Sequence, residues 1–182
     1  MNTLLGQHIF LRPLEPEDLQ LLLQMENQPE DWLLSQQQVP WSAYLLESYL
    51  QQATQDIYEA KQYRMVIALQ TSKQAIGLLD FFDFDPKNKR VGIGIAIITE
   101  FQQQGLGKDA LQTALHFVFQ EWMVHQVHAN ILTNNQASLH LFKSIGFGLV
   151  GVKKDWILHR HQWYDEATYQ LLSSEFYANK TL

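Results

Sequence analysis

The stretch Val91-Gly-Ile-Gly-Ile-Ala-Ile-Ile-Thr-Glu-Phe-Gln-Gln-Gln-Gly-Leu-Gly-Lys-Asp-Ala-Leu111 decides the fold. Its first part reads as a strand over Val91–Thr99. Val91, Ile93, Ile95 and Ile97 share one side; Gly92, Gly94, Ala96 and Ile98 share the other. Small residues on one side let something approach the backbone closely. After Glu100-Phe101 comes a loop of Gln102, Gln103, Gln104, Gly105, Leu106, Gly107 and Lys108. A strong helix follows, with Leu106, Ala110, Leu111, Ala114, Leu115, Val118, Phe119 and Trp122 at three- and four-residue steps. A strand running through a Gly-containing loop into a helix gathers free backbone N–H groups at a helix N-terminus, which is an anion site. Gly105 and Gly107 let that backbone approach an oxyanion without a Cβ in the way. Lys108 adds charge at the rim.

Other readings of the loop compete. It is a turn whose glycines serve geometry alone, or a nucleotide-binding loop of another kind. Gly105-x-Gly107-x-x-Ala110 loosely matches a dinucleotide fingerprint. That fingerprint calls for an acidic residue at the end of the next strand and normally follows the first strand. The next strand, Val127–Leu132, has no acid. A Walker loop needs four residues between its glycines, and one is present here.

Working outward, alternation predicts a first strand at His8–Arg12, ended by Pro13 and Pro16. Glu17 and Asp18 then start a helix carried by Leu19, Leu22, Leu23 and Glu26. Gln28–Val39 reads as a loop. Leu45, Leu46, Tyr49, Leu50 and Ala53 predict a helix over Ser42–Tyr58. Strands follow at Tyr63–Leu69 and Gln74–Phe84, the second ending at Asp85-Pro86. Downstream come the Val127–Leu132 strand, a helix over Gln136–Ile145 closed by Gly146, and two strands within Phe147–Leu172 turning near His161-Gln162. The order β-α-α-β-β-β-α-β-α-β-β is a mixed α/β fold. With 182 residues, no internal repeat and no linker-like segment, a single domain over residues 1–182 is expected.

Composition narrows the function classes. The chain is 46% hydrophobic and carries a formal net charge of −6. That gives no basic footprint for nucleic acid. The charge suits a cationic small substrate and equally a solvated surface. There is no cysteine, which removes disulfides, thiolate zinc sites and a cysteine nucleophile. No apolar run approaches a membrane span, and MNTLLGQHIF lacks the plan of a signal peptide. A cytoplasmic protein with no membrane partner is expected. His125-x-x-His128 and His159-Arg160-His161 lack acidic neighbours at ligand spacing, so no metal site is expected.

A second motif lies downstream: Asn135-Gln136-Ala137-Ser138, then Leu141-Phe142 and Gly146-Phe147. At 100° per residue, Asn135, Ser138 and Phe142 fall within roughly a 60° arc of one helix face. Asn135 either offers its amide to a polar chain or simply caps the helix. Gln102-x-x-Gly105-x-Gly107 followed by this motif resembles the GNAT N-acetyltransferase superfamily. Ile9-Phe10-Leu11-Arg12-Pro13-Leu14-x-x-x-Asp18 looks like the spermidine/diamine and ribosomal-protein acetyltransferase branch. Gly77-Leu78-Leu79-Asp80-Phe81-Phe82-Asp83-Phe84-Asp85-Pro86-x-x-x-Arg90 is similar to its polyamine-acetylating side.

The resemblance implies a GNAT-like mixed central sheet of about seven strands flanked by about four helices, splayed at the cofactor cleft. It implies acetyl-CoA as cosubstrate, with pantetheine paired to the backbone of Ile95, Ala96 and Ile97. Gln102–Lys108 would wrap the pyrophosphate, and Asn135, Ser138 and Phe142 would face the cleft. The expected reaction is direct acetyl transfer to a primary amine in a ternary complex, with a polyamine or diamine as first acceptor. A protein N-terminus and an aminoglycoside are the other acceptors, and a non-catalytic acyl-CoA binding module is the reading from another class. Relatives occur as monomers, dimers and larger rings, which leaves a homo-oligomer open.

The chain also departs from the pattern. Phe142 stands where many relatives carry the Tyr proposed to protonate the thiolate, and Gly92 where many carry a Glu that helps deprotonate the amine. Asp80 and Asp83 are the candidate catalytic carboxylates, either of them otherwise a solvated edge residue. Trp32, Trp41 and Tyr44, with Glu30 and Asp31, either roof the acceptor site through cation–π and charge attraction or pack as an ordinary loop.

Overall fold

The computed structural model describes residues 4–28, 32–35, 38–52 and 56–178. The strands are β1 (Ile9–Pro13), β2 (Tyr63–Leu69), β3 (Ala75–Asp85), β4 (Arg90–Ile97), β5 (Gln126–Leu132), β6 (Gly148–His159) and β7 (Gln162–Leu172). They form one seven-stranded sheet in the order β1-β2-β3-β4-β5-β7-β6. Four helices match the expected ones: α1 (Leu19–Glu26), α3 (Ala43–Gln52), α5 (Leu106–Gln120) and α6 (Gln136–Ile145). Three short ones were not expected: α2 (Trp32–Ser35), α4 (Ile57–Ala60) and α7 (Ser173–Ala178). The helix expected over Ser42–Tyr58 is two pieces, because Asp56 accepts the Tyr58 N–H (2.7 Å) and starts a new turn. Ala53 lies outside the described residues.

The two periodicities explain the layers. Alternation along the strands sends Leu11, Ile67, Leu79, Val91 and Ile93 to one side of the sheet, where Ala110, Leu111, Ala114 and Leu115 of α5 bury against them. Val66 and Leu78 point the other way and meet Leu21, Leu22 and Leu46 of α1 and α3. Asp18 ties the start of α1 to β1: its carboxylate takes both arms of Arg12 (2.6 and 2.7 Å) and the Glu15 N–H (2.8 Å).

The sheet opens in its middle. β4 and β5 run parallel and pair only at Arg90 with Gln126, Val91 with Val127 and Gly92 with His128. Beyond that rung β4 stays with β3 and β5 stays with β7. Two strand edges therefore face each other across a gap, as expected for the splayed sheet.

Candidate functional site

The anion loop stands at the open end of this fork. A 3-10 turn over Thr99–Phe101 leads into it from β4. The side-chain amide of Gln102 donates to the Ile97 carbonyl (2.7 Å) and that of Gln104 to the Glu100 carbonyl (3.0 Å), bracing the loop from within. Gln103 (φ 60°) and Gly105 (φ 79°) take left-handed backbone. The N–H groups of Gln103 through Lys108 find no acceptor among the described residues, and α5 begins without a side-chain cap. That row of free donors at a helix N-terminus suits an oxyanion. Asp109, in the first turn of α5, would repel one. Its oxygens instead take the N–H groups of Gln7 (2.9 Å), His8 (2.7 Å) and Ile9 (3.2 Å). Gly6 makes room for this clasp, since a Cβ there would lie 2.5 Å from Asp109 Oδ1.

The edges of the fork carry free backbone groups. The Ile98 N–H bonds to Ile76 of β3, so the alternation of an antiparallel ladder turns the N–H and C=O of Ile95 and Ile97 toward the gap. The Ile97 carbonyl is taken by Gln102, which leaves both groups of Ile95 and the Ile97 N–H facing the gap. On β5, Thr133 donates to Asp165 of β7, so the same alternation turns Asn130 toward the gap. A cleft of about 270 Å³ fills the fork. Ile95, Ala96, Asn135, Ser138 and Phe142 line it. Asn135 does cap α6, accepting the Ser138 N–H at 3.1 Å, which leaves its amide N–H groups to donate. Phe142 is buried, edge-on to Phe147 with ring centroids 5.0 Å apart.

Across the sheet the cleft becomes acidic. Arg64 of β2 donates to both oxygens of Asp80 (2.5 and 3.0 Å) and to Glu26 Oε1 (2.5 Å), and lies over the Tyr49 ring. Burial alone would lower the Arg64 pKa, but the Asp80 charge and hydrogen bonds outweigh it and hold the guanidinium protonated. Burial raises the Tyr49 pKa, keeping its phenol neutral. On the other wall Glu166 of β7 is buried and ion-paired with Lys153 of β6. Thr168 donates to Asn130 beside it (2.9 Å).

The structure thus brings the Ile95 edge and the α6 face to one cleft, with Asp80 on its wall, while Ile97 and the loop Gln102–Lys108 lie beyond its lining, at the open end of the fork. Asp83 is exposed on a bulge of β3 at positive φ (50°) and does not line the cleft. Trp32 begins α2 rather than lying in a loop, and Trp41 and Tyr44 are exposed away from the cleft lining. Glu30 and Asp31 lie outside the described residues. Gly92 has a steric reason: a Cβ there would sit 2.3 Å from the Phe82 ring, which leans edge-on against His128 (5.7 Å between centroids). Sequence reasoning missed Glu26, Arg64, Asn130 and Glu166. Glu166 was legible in part, as an acid on the strand face opposite Ala167, Tyr169 and Leu171.

This frame admits a phosphate-tailed donor through the fork and an acceptor on the acidic side. Residues 8–148 match the model of the acetyltransferase (GNAT) domain, and the chain belongs to that family of acetyl-CoA-using N-acetyltransferases. It is 23% identical over 176 residues to the SPbeta prophage-derived uncharacterized N-acetyltransferase YokL of Bacillus subtilis, covering 96% of this chain and 95% of that one. It is 25% identical over 144 residues to the Escherichia coli spermidine N(1)-acetyltransferase, covering 78% and 73%. Vibrio cholerae spermidine N-acetyltransferase, solved with CoA and spermine, superposes with a TM-score of 0.85 at 20% identity, covering 94% of this chain and 99% of that one. Among the described residues, no helix is long and apolar enough to cross a membrane.

Proposed function

We propose that this enzyme transfers the acetyl group of acetyl-CoA directly to a primary amine of a small polycation, a diamine or polyamine. Acetyl-CoA supplies the activated thioester. The free N–H groups of Gln103 through Lys108 carry the reading, because they suit a pyrophosphate at the mouth of a fork. Within that reading, Gln102 and Gln104 brace the loop, and Lys108 adds charge at its rim. Ile95 and Asn130 offer backbone groups to the pantetheine amides. Asn135 and Ser138 add polar contacts from α6, with Ala96 and Phe142 as the apolar walls.

The acceptor side supports a cation. Glu26, Asp80 and Glu166 set three negative charges against two positive ones, Arg64 and Lys153, a net of −1 by subtraction. A charged amine offsets that excess in a partly dry cleft, where such pairing is stronger than in water. Asp80, with both oxygens on Arg64, holds the guanidinium in place. The similarity to spermidine N(1)-acetyltransferase points the same way.

A second acceptor, a protein N-terminus, draws on a 29% identity over 84 residues to the E. coli [ribosomal protein uS5]-alanine N-acetyltransferase. Steady-state release of free CoA, measured with spermidine, a short diamine, an Ala-initiated peptide and an aminoglycoside, decides between them. Turnover of the peptide alone would overturn the polycation reading.

A further inference from the structure

The fork raises a question about protons. An alkylammonium of pKa near ~10.4 must lose one before it can attack, and the side chains at positions 92 and 142 cannot take it. Two carboxylates stand one strand away from the gap: Asp80 on β3, beside β4, and Glu166 on β7, beside β5. Asp80 has both oxygens engaged by Arg64. Glu166 gives Oε2 to Lys153, while its Oε1 accepts no hydrogen bond among the described residues. Glu166 is 7% exposed and lines the cleft.

The local chain geometry aims this group. Glu166 sits opposite Leu132 of β5 and opposite Lys153 of β6. Just beyond Lys153, β6 bulges before Ile157, pinned by Asp165 to the Lys154 ammonium (2.6 Å) and the Asp155 N–H (2.9 Å). A bulge re-aims the side chains next to it. Here Ile157 joins Glu166 in the cleft wall. The charged and titratable groups around Glu166 are Lys153 on β6, His128 on the same face of β5, and Glu26, Arg64 and Asp80 across the cleft.

We propose that Glu166 is the proton acceptor for the incoming ammonium, directly or through one water. This rests on the acetyl-transfer reading above. The ammonium gives one proton to Glu166 Oε1. The freed nitrogen lone pair then forms the C–N bond to the thioester carbonyl carbon as the C–S bond breaks. The departing thiolate takes the second amine proton, and the proton on Glu166 returns to solvent through the open cleft. The sum is ammonium plus thioester giving amide, thiol and one proton. Lys153 holds Glu166 in place through its ion pair on Oε2.

The test compares the wild type with Glu166→Gln, which keeps the size and loses the basicity. One acceptor is a protonated alkyl diamine, the other trifluoroethylamine, whose electron-withdrawing group leaves it mostly neutral near pH 7. With the diamine, kcat/KM of Glu166→Gln should fall ~10²-fold. With trifluoroethylamine the loss should be at least ~10-fold smaller, because no proton need leave first. Glu166→Asp should recover part of the diamine rate. Diamine binding to the dead-end CoA complex, measured by calorimetry, should weaken in Glu166→Gln, while CoA binding alone stays unchanged. Equal losses with both nucleophiles, or unchanged diamine turnover, overturn the assignment. A wild type that releases CoA with neither nucleophile overturns the acetyl-transfer reading itself.

Discussion

Replacing Gly105 by Ala separates a phosphate cradle from a mere turn. Gly105 sits at φ 79°, and a Cβ built there meets nothing within 4 Å. The protein itself therefore offers no clash. The folding cost is backbone strain of about 1 kcal/mol for an L-residue in left-handed conformation. For a domain of this size that is a Tm loss of about 2–4 °C. The methyl group points into open space beside the free N–H groups of the loop. If a pyrophosphate occupies that space, the methyl pushes it off its donors. Charge-assisted hydrogen bonds contribute about 1.5 kcal/mol or more each, so losing two weakens CoA binding ~10²-fold. Acetyl-pantetheine, which lacks the pyrophosphate, should bind as before. Gly107→Ala is the internal control. Its Cβ would meet Leu141 Cδ2 at 3.6 Å and Ile97 Cδ1 at 3.8 Å, ordinary contacts directed into the protein. It should lose little affinity and gain slightly in helix stability. Calorimetry with CoA and acetyl-pantetheine on all three proteins is the assay. CoA affinity unchanged in Gly105→Ala, or reduced equally for both ligands, would refute the cradle.

Three more outcomes are expected. Phe142→Tyr should leave the fold intact and barely change the rate near neutrality, while the wild-type rate climbs with pH toward the amine pKa; a flat profile with a large gain for the variant would put thiolate protonation in control. Gly92→Ala should destabilise by about 1–3 kcal/mol through its clash with Phe82, read by urea unfolding, with Phe82→Leu easing the loss. Asp18→Asn should cost about 2 kcal/mol by removing the charged partner of Arg12. Burial raises the Asp18 pKa, but the Arg12 and Glu15 hydrogen bonds outweigh it and hold the pKa below the usual value. The stability this provides is present above the unfolded carboxylate pKa and is lost as pH falls through the lowered folded one. The unfolding midpoint of the wild type should therefore approach that of Asp18→Asn under acid conditions.

The loop and the α6 face of the candidate site were legible because each is built from contiguous sequence. The Gln102–Lys108 loop and the Asn135–Phe142 helix face each sit in one short stretch, and periodicity alone predicts which residues share a side. The acidic side of the cleft joins elements far apart in the chain. Arg64, Asp80 and Glu26 come from β2, β3 and α1, and Glu166 comes from β7. Nothing local in the sequence says that Arg64 takes both oxygens of Asp80. Yet that pairing is what commits both oxygens of Asp80. The bulge at Asp83 was equally hidden, since alternation assumes an unbroken strand.

Gly92 and Phe82 also turn an apparent defect into a constraint. Read from sequence, Gly92 is an absence at a position where relatives hold a carboxylate. In the fold the absence is filled: the Phe82 ring covers Gly92, approaches Gly94 at 3.9 Å from its Cβ position and braces His128. A carboxylate reinstated at 92 would have to displace that ring from between β3 and β5. With the β4 side closed by Phe82, the carboxylate on the β7 wall is the one placed for the proton step in the proposed transfer.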